Sequence, residues 1–276
     1  MGILIGLLVL HEEGSRFALQ ILIMKKVMLA FVMTAVAISI LTSCEKENES
    51  AFTVVTATGD ITSRIEEFRQ LLGAQLNTVP GAVGGRREIN WDGVPEQLLG
   101  TPLPPNFFNP VGAAAPASRQ RGLVYSAAAG TFEVSKTNFN EVNAAASSQF
   151  APFSGQQTFS NISGNLWDVG FEVAGQSVAA SVQGFGIVFS DVDVANNSYL
   201  EFYSGDKNLG RFYVPVHDSK SGFSFLGVYF KNDRVTRVRV SHGNGILNTG
   251  GKDISNGGSN DLVIMDDFLY DEPIAQ

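Results

Sequence analysis

Four aspartates lie in or next to apolar, strand-like segments, where a carboxylate needs a partner. Asp191 and Asp193 follow the apolar run 184–190 and share the parity of Phe189. Two carboxylates on one face, two residues apart, predict the start of a calcium site, because calcium binds six to eight oxygens. Solvated acids in a turn are the alternative. Near Ser190 the apolar residues change from one face of the strand to the other, which predicts a bulge or the end of a strand.

A second pair, Asp266 and Asp267, lies in the apolar run 262–270, so one of the two falls on whichever face is buried. A buried carboxylate without a partner is too costly to persist. The pair is therefore predicted to be hydrogen-bonded or ion-paired, to sit on a bulge, or to bind calcium. The Asp-x-Asp-x-Asp-Gly calcium loop does not occur in the sequence.

Aromatic side chains are the other candidates, because amphipathic rings can stack on sugars. Trp91 and Asp92 lie in the segment 77–122, which is rich in Pro, Gly and Ala. This setting predicts an exposed ring at a ligand-binding position. Trp167 and most of the tyrosines are instead expected to fill the core or cover its edge.

No residue is predicted to be catalytic. The sequence has no Gly-x-Ser-x-Gly, His-Glu-x-x-His or phosphate-binding glycine motif. His242 is interpreted as a loop histidine. A glycosidase needs only two carboxylates at the right separation, which a sequence does not reveal.

The single cysteine, Cys44, ends a segment typical of exported lipoproteins. Lys25 and Lys26 precede an apolar run that ends at Leu41, and Leu-Thr-Ser-Cys resembles a lipobox. About 15 apolar residues are short for a membrane span, which needs about 20. We expect cleavage before Cys44 and lipidation of its thiol, which would anchor the chain to a membrane of the cell envelope, most simply the outer membrane. A plain transmembrane anchor is the alternative.

Four parts follow from this reading. They are an upstream extension (1–23) before a start at Met24, a lipoprotein signal peptide (24–43), a flexible tether (44–59) and a single β-sandwich domain (60–276). The acidic residues directly after Cys44 resemble surface-export signals of Bacteroidetes-type lipoproteins. The sequence is therefore compatible with a location on either face of the outer membrane.

Short strands are the elements that must position these residues. Leu200 and Phe202 alternate with Glu201 and Tyr203, and this period of two predicts antiparallel sheets with one wet face. Strands are predicted over 123–126, 131–134, 166–173, 184–194, 199–204, 210–216, 222–230, 235–241 and 262–270. Regular short strands predict an all-β, jelly-roll-like antiparallel sandwich.

One short amino-terminal helix is also expected. Ile61, Ile65, Phe68 and Leu72 recur at helical spacing, and Gly73 ends the run. A capping box at Ser63 and Glu66, or a cap from Asp60 or Thr62, would begin it.

Composition agrees with this fold and limits the partners. The chain has 20 Phe and 29 Gly, only 17% charged residues and a net charge of −8. A surface of that sign repels phosphate backbones, so nucleic acid is not an expected partner, whereas cations are favoured.

Several stretches resemble a group of uncharacterised exported bacterial β-sandwich proteins, many of which carry a carboxy-terminal sorting tag. The resemblance covers the chain from about residue 64 to its end, and its stretches are 85–95, 184–193, 223–228 and 265–270. It implies a fold and no activity. A more distant likeness to calcium-stabilised carbohydrate-binding jelly rolls implies that a late-strand aspartate, here Asp266 or Asp267, helps to bind the metal.

The leading hypothesis is a non-catalytic lipoprotein that is stabilised by calcium and binds glycan. One alternative is a structural or adhesive surface protein that binds another protein. The other is an enzyme that acts on polysaccharide.

Overall fold

Two large antiparallel sheets, a two-stranded sheet and an α-helix are the main elements of the described part of the chain. The computed structural model describes Met24 and residues 51–217 and 222–276. The helix, α1, spans Thr62–Leu72. The strands are β1 (Phe52–Thr58), β2 (Arg86–Ile89), β3 (Leu123–Ser126), β4 (Phe132–Ser135), β5 (Thr158–Asn161), β6 (Leu166–Phe171), β7 (Ala180–Ser181), β8 (Gly184–Ser190), β9 (Tyr199–Ser204), β10 (Lys207–Tyr213), β11 (Phe223–Phe230), β12 (Arg237–Ser241), β13 (Ile264–Asp271) and β14 (Ile274–Ala275).

The strands are arranged as an open sandwich, which confirms the predicted all-β fold. One sheet has the order β1-β11-β8-β13-β5-β4, and β2 also pairs with β13. The other has the order β10-β9-β12-β6-β3, and β7 pairs with β14 outside both. Neighbouring strands run antiparallel, with β8 and β13 at the centre of the first sheet.

The main core lies between the two sheets. Phe185 and Phe268 from the seven-stranded sheet belong to the same buried cluster as Trp167, Phe202 and Val238 from the five-stranded sheet. Every second residue of a strand faces the same side, so the apolar residues of each strand meet in one layer. This layer is rich in aromatic rings, which explains the large number of phenylalanines.

Helix α1 covers the outer face of the seven-stranded sheet. Its buried residues Ile65, Phe68 and Leu72 are those that the helical spacing predicted. Phe68 packs on Phe225 with ring centroids 5.5 Å apart. A side chain at Gly227 would meet the Phe68 ring at 2.8 Å, so only glycine permits this contact.

The helix begins without the predicted capping box. Asp60 Oδ1 accepts a hydrogen bond from the Thr62 amide, which was one of the expected caps. At the other end, the Gly73 amide donates to Arg69 O, so the predicted end of the helix is confirmed.

The predicted tether is too long. Residues Phe52–Thr58 form β1, which pairs along its whole length with β11, and Val55 is buried. The segment is rich in β-branched residues, which favour a strand over a polar linker. The signal peptide and Cys44 lie outside the described residues. Within the described part of the chain, no helix has the length and apolarity needed to cross a bilayer.

Candidate functional site

Three carboxylates form the strongest candidate cation site among the described residues. Ligand oxygens of Asp191, Asp193 and Asp253 all lie within 4.8 Å of one another. Two oxygens that bind one calcium ion at 2.3–2.6 Å can be at most about 5 Å apart, so this spacing fits a single ion. We call these three residues the Asp191 cluster.

The end of β8 positions the first two ligands. The strand stops at Ser190, where the sequence predicted a bulge or a strand end. Asp191 then takes a left-handed backbone conformation with φ of 70°, which turns the chain out of the sheet. This turn brings Asp191 and Asp193 into one cluster, as their spacing predicted.

Asp253 completes the cluster from a loop about 60 positions further along the chain. Its Oδ1 accepts from the Ser255 amide at 2.9 Å and from Gln149 Nε2 at 3.1 Å. Its Oδ2 accepts from the Leu262 amide at 2.7 Å. Asp253 is therefore fixed by hydrogen bonds and joins two loops at the same end of the sandwich. Sequence reasoning missed it, because no local pattern marks a contact over such a distance.

A fourth carboxylate shapes the same region. Asp261 accepts hydrogen bonds from the amides of Asp193 and Val194 at 3.1 and 3.2 Å. Burial raises the pKa of Asp261 to about 6, and the charges of Asp253 and Asp193 add to the effect. Burial and the contact with Asp253 also raise the pKa of Asp193. A bound cation would relieve this accumulation of negative charge.

The second predicted pair, Asp266 and Asp267, sits on a bulge of β13. Met265 pairs with Phe189 and Phe268 pairs with Ile187, so β13 has one residue more than β8 between these pairs. Met265 and Phe268 both belong to the inter-sheet core, which leaves both aspartates on the helix-covered face. The bulge was one of the predicted alternatives.

Hydrogen bonds from residues 153 and 154 reach one oxygen of each aspartate in this buried pair. Asp266 Oδ2 accepts from the Phe153 amide at 2.5 Å and from the Ser154 amide at 3.0 Å. Ser154 Oγ donates to Asp267 Oδ1 at 2.6 Å. Burial and the neighbouring charge of Asp267 raise the pKa of Asp266. The pair joins no group of three potential metal ligands among the described residues, so the geometry favours paired structural acids.

Trp91 is a core residue, and the prediction of an exposed ring is wrong. It is fully buried and stacks on Phe159 with ring centroids 3.8 Å apart and planes 7° from parallel. Its Nε1 donates to Asp266 O at 2.8 Å. Asp92 is exposed, but its Oδ1 accepts from the Gln156 amide at 2.9 Å and holds a loop. Trp91 therefore packs in the core, while Asp92 anchors the loop that carries Gln156.

The outer face of the five-stranded sheet carries aromatic and charged side chains in rows. Parity places them opposite the core residues Leu200 and Phe202. We call this surface the tyrosine–arginine face and define it by Asp168, Tyr199, Glu201, Tyr203, Arg211, Tyr213, Arg237 and Arg239. The sequence predicted a wet face here, and most tyrosines were expected to fill the core or to cover its edge.

One row of this face is apolar. Tyr213 pairs with Tyr199, Tyr199 with Ser241, and Ser241 with Leu166, across four strands. Tyr213 is 45% exposed and Leu166 is 46% exposed. The row therefore presents apolar surface to solvent at both of its ends.

The next row alternates in charge. Arg211 pairs with Glu201, Glu201 with Arg239, and Arg239 with Asp168. Arg239 binds Asp168 through two hydrogen bonds of 3.0 and 3.2 Å. Burial alone would raise the pKa of Glu201, but hydrogen bonds from Tyr203, Asn208 and Arg211 outweigh it and lower the value.

Two arginine guanidinium groups also pack over tyrosine rings of this face. The Arg211 guanidinium lies 4.1 Å from the ring centroid of Tyr199, and that of Arg237 lies 3.8 Å from Tyr203. Such contacts hold the rings in place without burying them. The face is thus a preorganised surface of rings and hydrogen-bonding groups.

A groove of about 240 Å³ lies at one end of the face. Leu166, Asp168 and Arg239 line it together with the loop 126–128. The groove continues the apolar and charged rows beyond β6.

His242 is structural. Trp167 Nε1 donates to its Nδ1 at 3.2 Å, and Ser160 Oγ lies 3.5 Å from Nε2. Burial lowers the pKa of His242 to about 4, so the ring is neutral near pH 7. His242 lies in the loop directly after β12, as predicted, and its side chain is buried.

The chain has little detectable similarity to known proteins. No protein-family model matches the chain, and no curated protein matches it. Among solved structures, a glycoside hydrolase family 43 arabinoxylan arabinofuranohydrolase from Bacillus subtilis, in complex with cellotetraose, is similar with a TM-score of 0.29 and 16% identity. The match covers 59% of this chain and 30% of the hydrolase. A TM-score of this size supports no inference about activity.

Proposed function

We propose that this chain is a non-catalytic, lipid-anchored envelope protein that binds polysaccharide through the tyrosine–arginine face. The observation that carries the proposal is the row formed by the exposed Tyr213, the half-buried Tyr199 and the exposed Leu166, beside a row of ordered, alternating charges. Sugars offer apolar C–H faces and many hydroxyls, and these match rings that lie beside fixed donors and acceptors.

The dimensions of the face suit an extended ligand. Neighbouring strands are about 4.8 Å apart, so Tyr213 and Leu166 lie roughly 14 Å apart across three strand intervals. This distance corresponds to a short run of sugar units. The groove beside Asp168 and Arg239 would receive the next unit.

Removal of the rings tests the proposal. The double variant Tyr199→Ala/Tyr213→Ala is expected to weaken binding at least tenfold, because contact with each of the two rings contributes about 1–2 kcal/mol. Affinity electrophoresis in gels that contain xylan, mannan, laminarin or polygalacturonate, together with an array of plant and microbial oligosaccharides, measures the change. Val54→Ala, an exposed apolar position on β1, is the matched control.

Two results would contradict the proposal. One is that the unmodified protein binds none of these glycans. The other is that the double variant, shown by circular dichroism to be folded, binds as tightly as the parent.

We further propose that calcium stabilises the sandwich at the Asp191 cluster. The cluster lies where the end of β8 meets the loop that carries Asp253, so one ion would tie together segments distant in sequence. Calcium suits three carboxylates better than a softer metal does, since it prefers oxygen ligands and takes the rest from carbonyls and water.

Thermal unfolding in calcium and in chelator tests this site. At a calcium concentration 100 times Kd, the folded state gains about 2.7 kcal/mol. For a domain of this size, this gain raises the midpoint by roughly 5–10 °C. Asp193→Asn is expected to abolish most of the rise, whereas Asp266→Asn should retain it. Loss of the rise in Asp266→Asn alone would place the ion on β13 instead.

The membrane anchor has its own test. In a bacterial host supplied with an alkyne-labelled fatty acid, the protein is expected to carry the label and to sediment with membranes. Cys44→Ser should remove the label and release the protein, because the thiol is the attachment point. Membrane retention of Cys44→Ser without the label would instead favour a transmembrane anchor.

A protein partner is the second candidate, and the edge strand β1 favours it. β1 lies at the end of its sheet order and carries no charged residue over Phe52–Thr58. Such edges can add a strand from another chain. By contrast, β10 at the edge of the other sheet carries Lys207, Arg211 and a bulge, which discourage strand addition.

A further inference from the structure

A cavity of about 280 Å³ opens where β13 ends, on a side of the molecule formed by the seven-stranded sheet. Its polar lining comes from Gln183, Arg234, Asp271 and Glu272, and its apolar lining includes Leu72 and Tyr229. None of these residues belongs to the tyrosine–arginine face or to the Asp191 cluster.

Asp271 is held so that one oxygen remains available. Both the Gln183 and the Gly184 amides donate to its Oδ1 at 2.7 Å. Its Oδ2 lies 3.7 Å from Arg234 Nη1, longer than a direct hydrogen bond. A hydroxyl of a bound molecule can therefore use Oδ2 as an acceptor.

Arg234 is fixed in the same way. Its Nε donates to Ser181 Oγ at 3.2 Å, and its Nη2 donates to Ser181 O. These bonds orient the guanidinium and leave Nη1 directed toward Asp271. The cavity thus presents an ordered donor and an ordered acceptor side by side.

The neighbouring Glu272 is already used. It forms an ion pair of 2.7 Å with the buried Arg87, and Asn77 Nδ2 donates to it at 2.8 Å. Its charge is therefore compensated within the protein, so Asp271 is the acid that a ligand would meet.

We infer that this cavity binds a single sugar unit, whose two adjacent hydroxyls bridge Asp271 Oδ2 and Arg234 Nη1. One hydroxyl donates to the carboxylate, and its neighbour accepts from the guanidinium. The C–H face of the ring packs against Tyr229 and Leu72. At about 280 Å³, the cavity is slightly smaller than the roughly 300 Å³ at which pockets for drug-sized ligands begin, so it suits one ring.

The rim agrees with a ligand that has an apolar face. Val83 is 97% exposed and Ile274 is 44% exposed, and both line the opening. An isolated exposed valine is ordinary, but two apolar side chains around a polar floor form an amphipathic entrance. This site is independent of the proposed polysaccharide face.

Saturation-transfer NMR with methyl glycosides of glucose, galactose, mannose, xylose, rhamnose and N-acetylglucosamine tests the inference. At least one glycoside is expected to bind the lipid-free protein at millimolar concentration. Gly84→Trp should abolish the signal, because Gly84 lines the cavity and a Cβ there meets no atom within 4 Å, which leaves room for an indole to block the opening. Val111→Trp, at an exposed position that does not line the cavity, should leave it unchanged.

Asp271→Asn supplies a second variant that preserves the fold. The asparagine oxygen still accepts from Gln183 and Gly184, while its amide replaces the acceptor Oδ2, so affinity should fall at least tenfold. Absence of binding by every glycoside, or unchanged binding in Gly84→Trp, would overturn the inference. Binding of free amino acids in preference to the glycosides would also overturn it. Tyr199→Ala/Tyr213→Ala should retain glycoside binding, which separates this site from the polysaccharide face.

Discussion

Trp91→Ala is expected to lower the free energy of unfolding by about 3–5 kcal/mol, the usual cost of removing a buried aromatic side chain. Trp91 is fully buried, lies flat on Phe159 and meets the edge of Phe268 with ring centroids 5.0 Å apart. Its loss would leave a cavity in the aromatic layer and remove the hydrogen bond to Asp266 O. Urea denaturation followed by circular dichroism measures the change.

Two comparisons make this prediction specific. Trp91→Phe keeps most of the ring volume and loses the hydrogen bond, so a smaller cost of about 1–3 kcal/mol is expected. Leu166→Ala, at a half-exposed position, should cost less than either. A Trp91→Ala variant within about 1 kcal/mol of the parent would contradict the buried position of the ring.

The sequence around Trp91 did not reveal this burial. The segment is rich in Pro and Gly, which predicts a loop, and a tryptophan in a loop is easily read as exposed. Ile89 and Trp91 share the parity of a strand, but β2 has only four residues, so the alternation was too short to detect. Burial depends on Phe108, Phe159 and Phe268, which come from distant parts of the chain.

Local pattern predicted most of the fold because the strands of the five-stranded sheet alternate between core and solvent, while the central strands of the other sheet are predominantly apolar runs. The strand at Tyr199–Ser204 was predicted with its observed bounds, and the predicted end of the apolar parity at Ser190 is the end of β8. β1 was missed because threonines hide its alternation, and it borders an acidic stretch that resembles a linker. β5 was missed because its four residues lie beside a loop of low complexity.

The candidate sites likewise contain residues that local spacing predicts and residues that only the fold brings together. The spacing of Asp191 and Asp193 predicted them as a pair, whereas Asp253 joins them only through the fold. The outward parity of Tyr199 and Tyr203 could have been read from Leu200 and Phe202 between them. Whether those rings lie beside arginines depends on strand register, which a single sequence does not give.

The buried acid pair on β13 leads to the second large expected effect, a loss of stability as pH rises. Burial raises the pKa of Asp266 above its usual value near 3.8, and Asp267 adds to the shift. Above pH 4, the unfolded chain releases this proton while the folded chain retains it. The folded state then binds more protons, so the free energy of unfolding falls by up to about 1.4 kcal/mol per pH unit until pH passes the raised pKa.

Asp266→Asn is expected to remove this contribution. The amide resembles the protonated acid, because its oxygen can accept from the Phe153 and Ser154 amides and its nitrogen can donate to Asp267. Relative to the parent, the variant should gain several kcal/mol between pH 5 and pH 8. Urea denaturation in chelator at these two pH values measures the difference, and Asp206→Asn, at an exposed turn, is the control.

Other groups also titrate in this range, but they cancel in the comparison. Burial raises the pKa of Asp261 and of Asp271 to about 6, and it lowers that of His242 to about 4. The two acids lower the free energy of unfolding as pH rises, whereas His242 raises it until the pH reaches the pKa of this histidine in the unfolded chain. Each of these contributions is the same in parent and variant. A parent and variant that lose stability in parallel would mean that Asp266 is already ionised in the folded protein across this pH range, which would contradict the raised pKa.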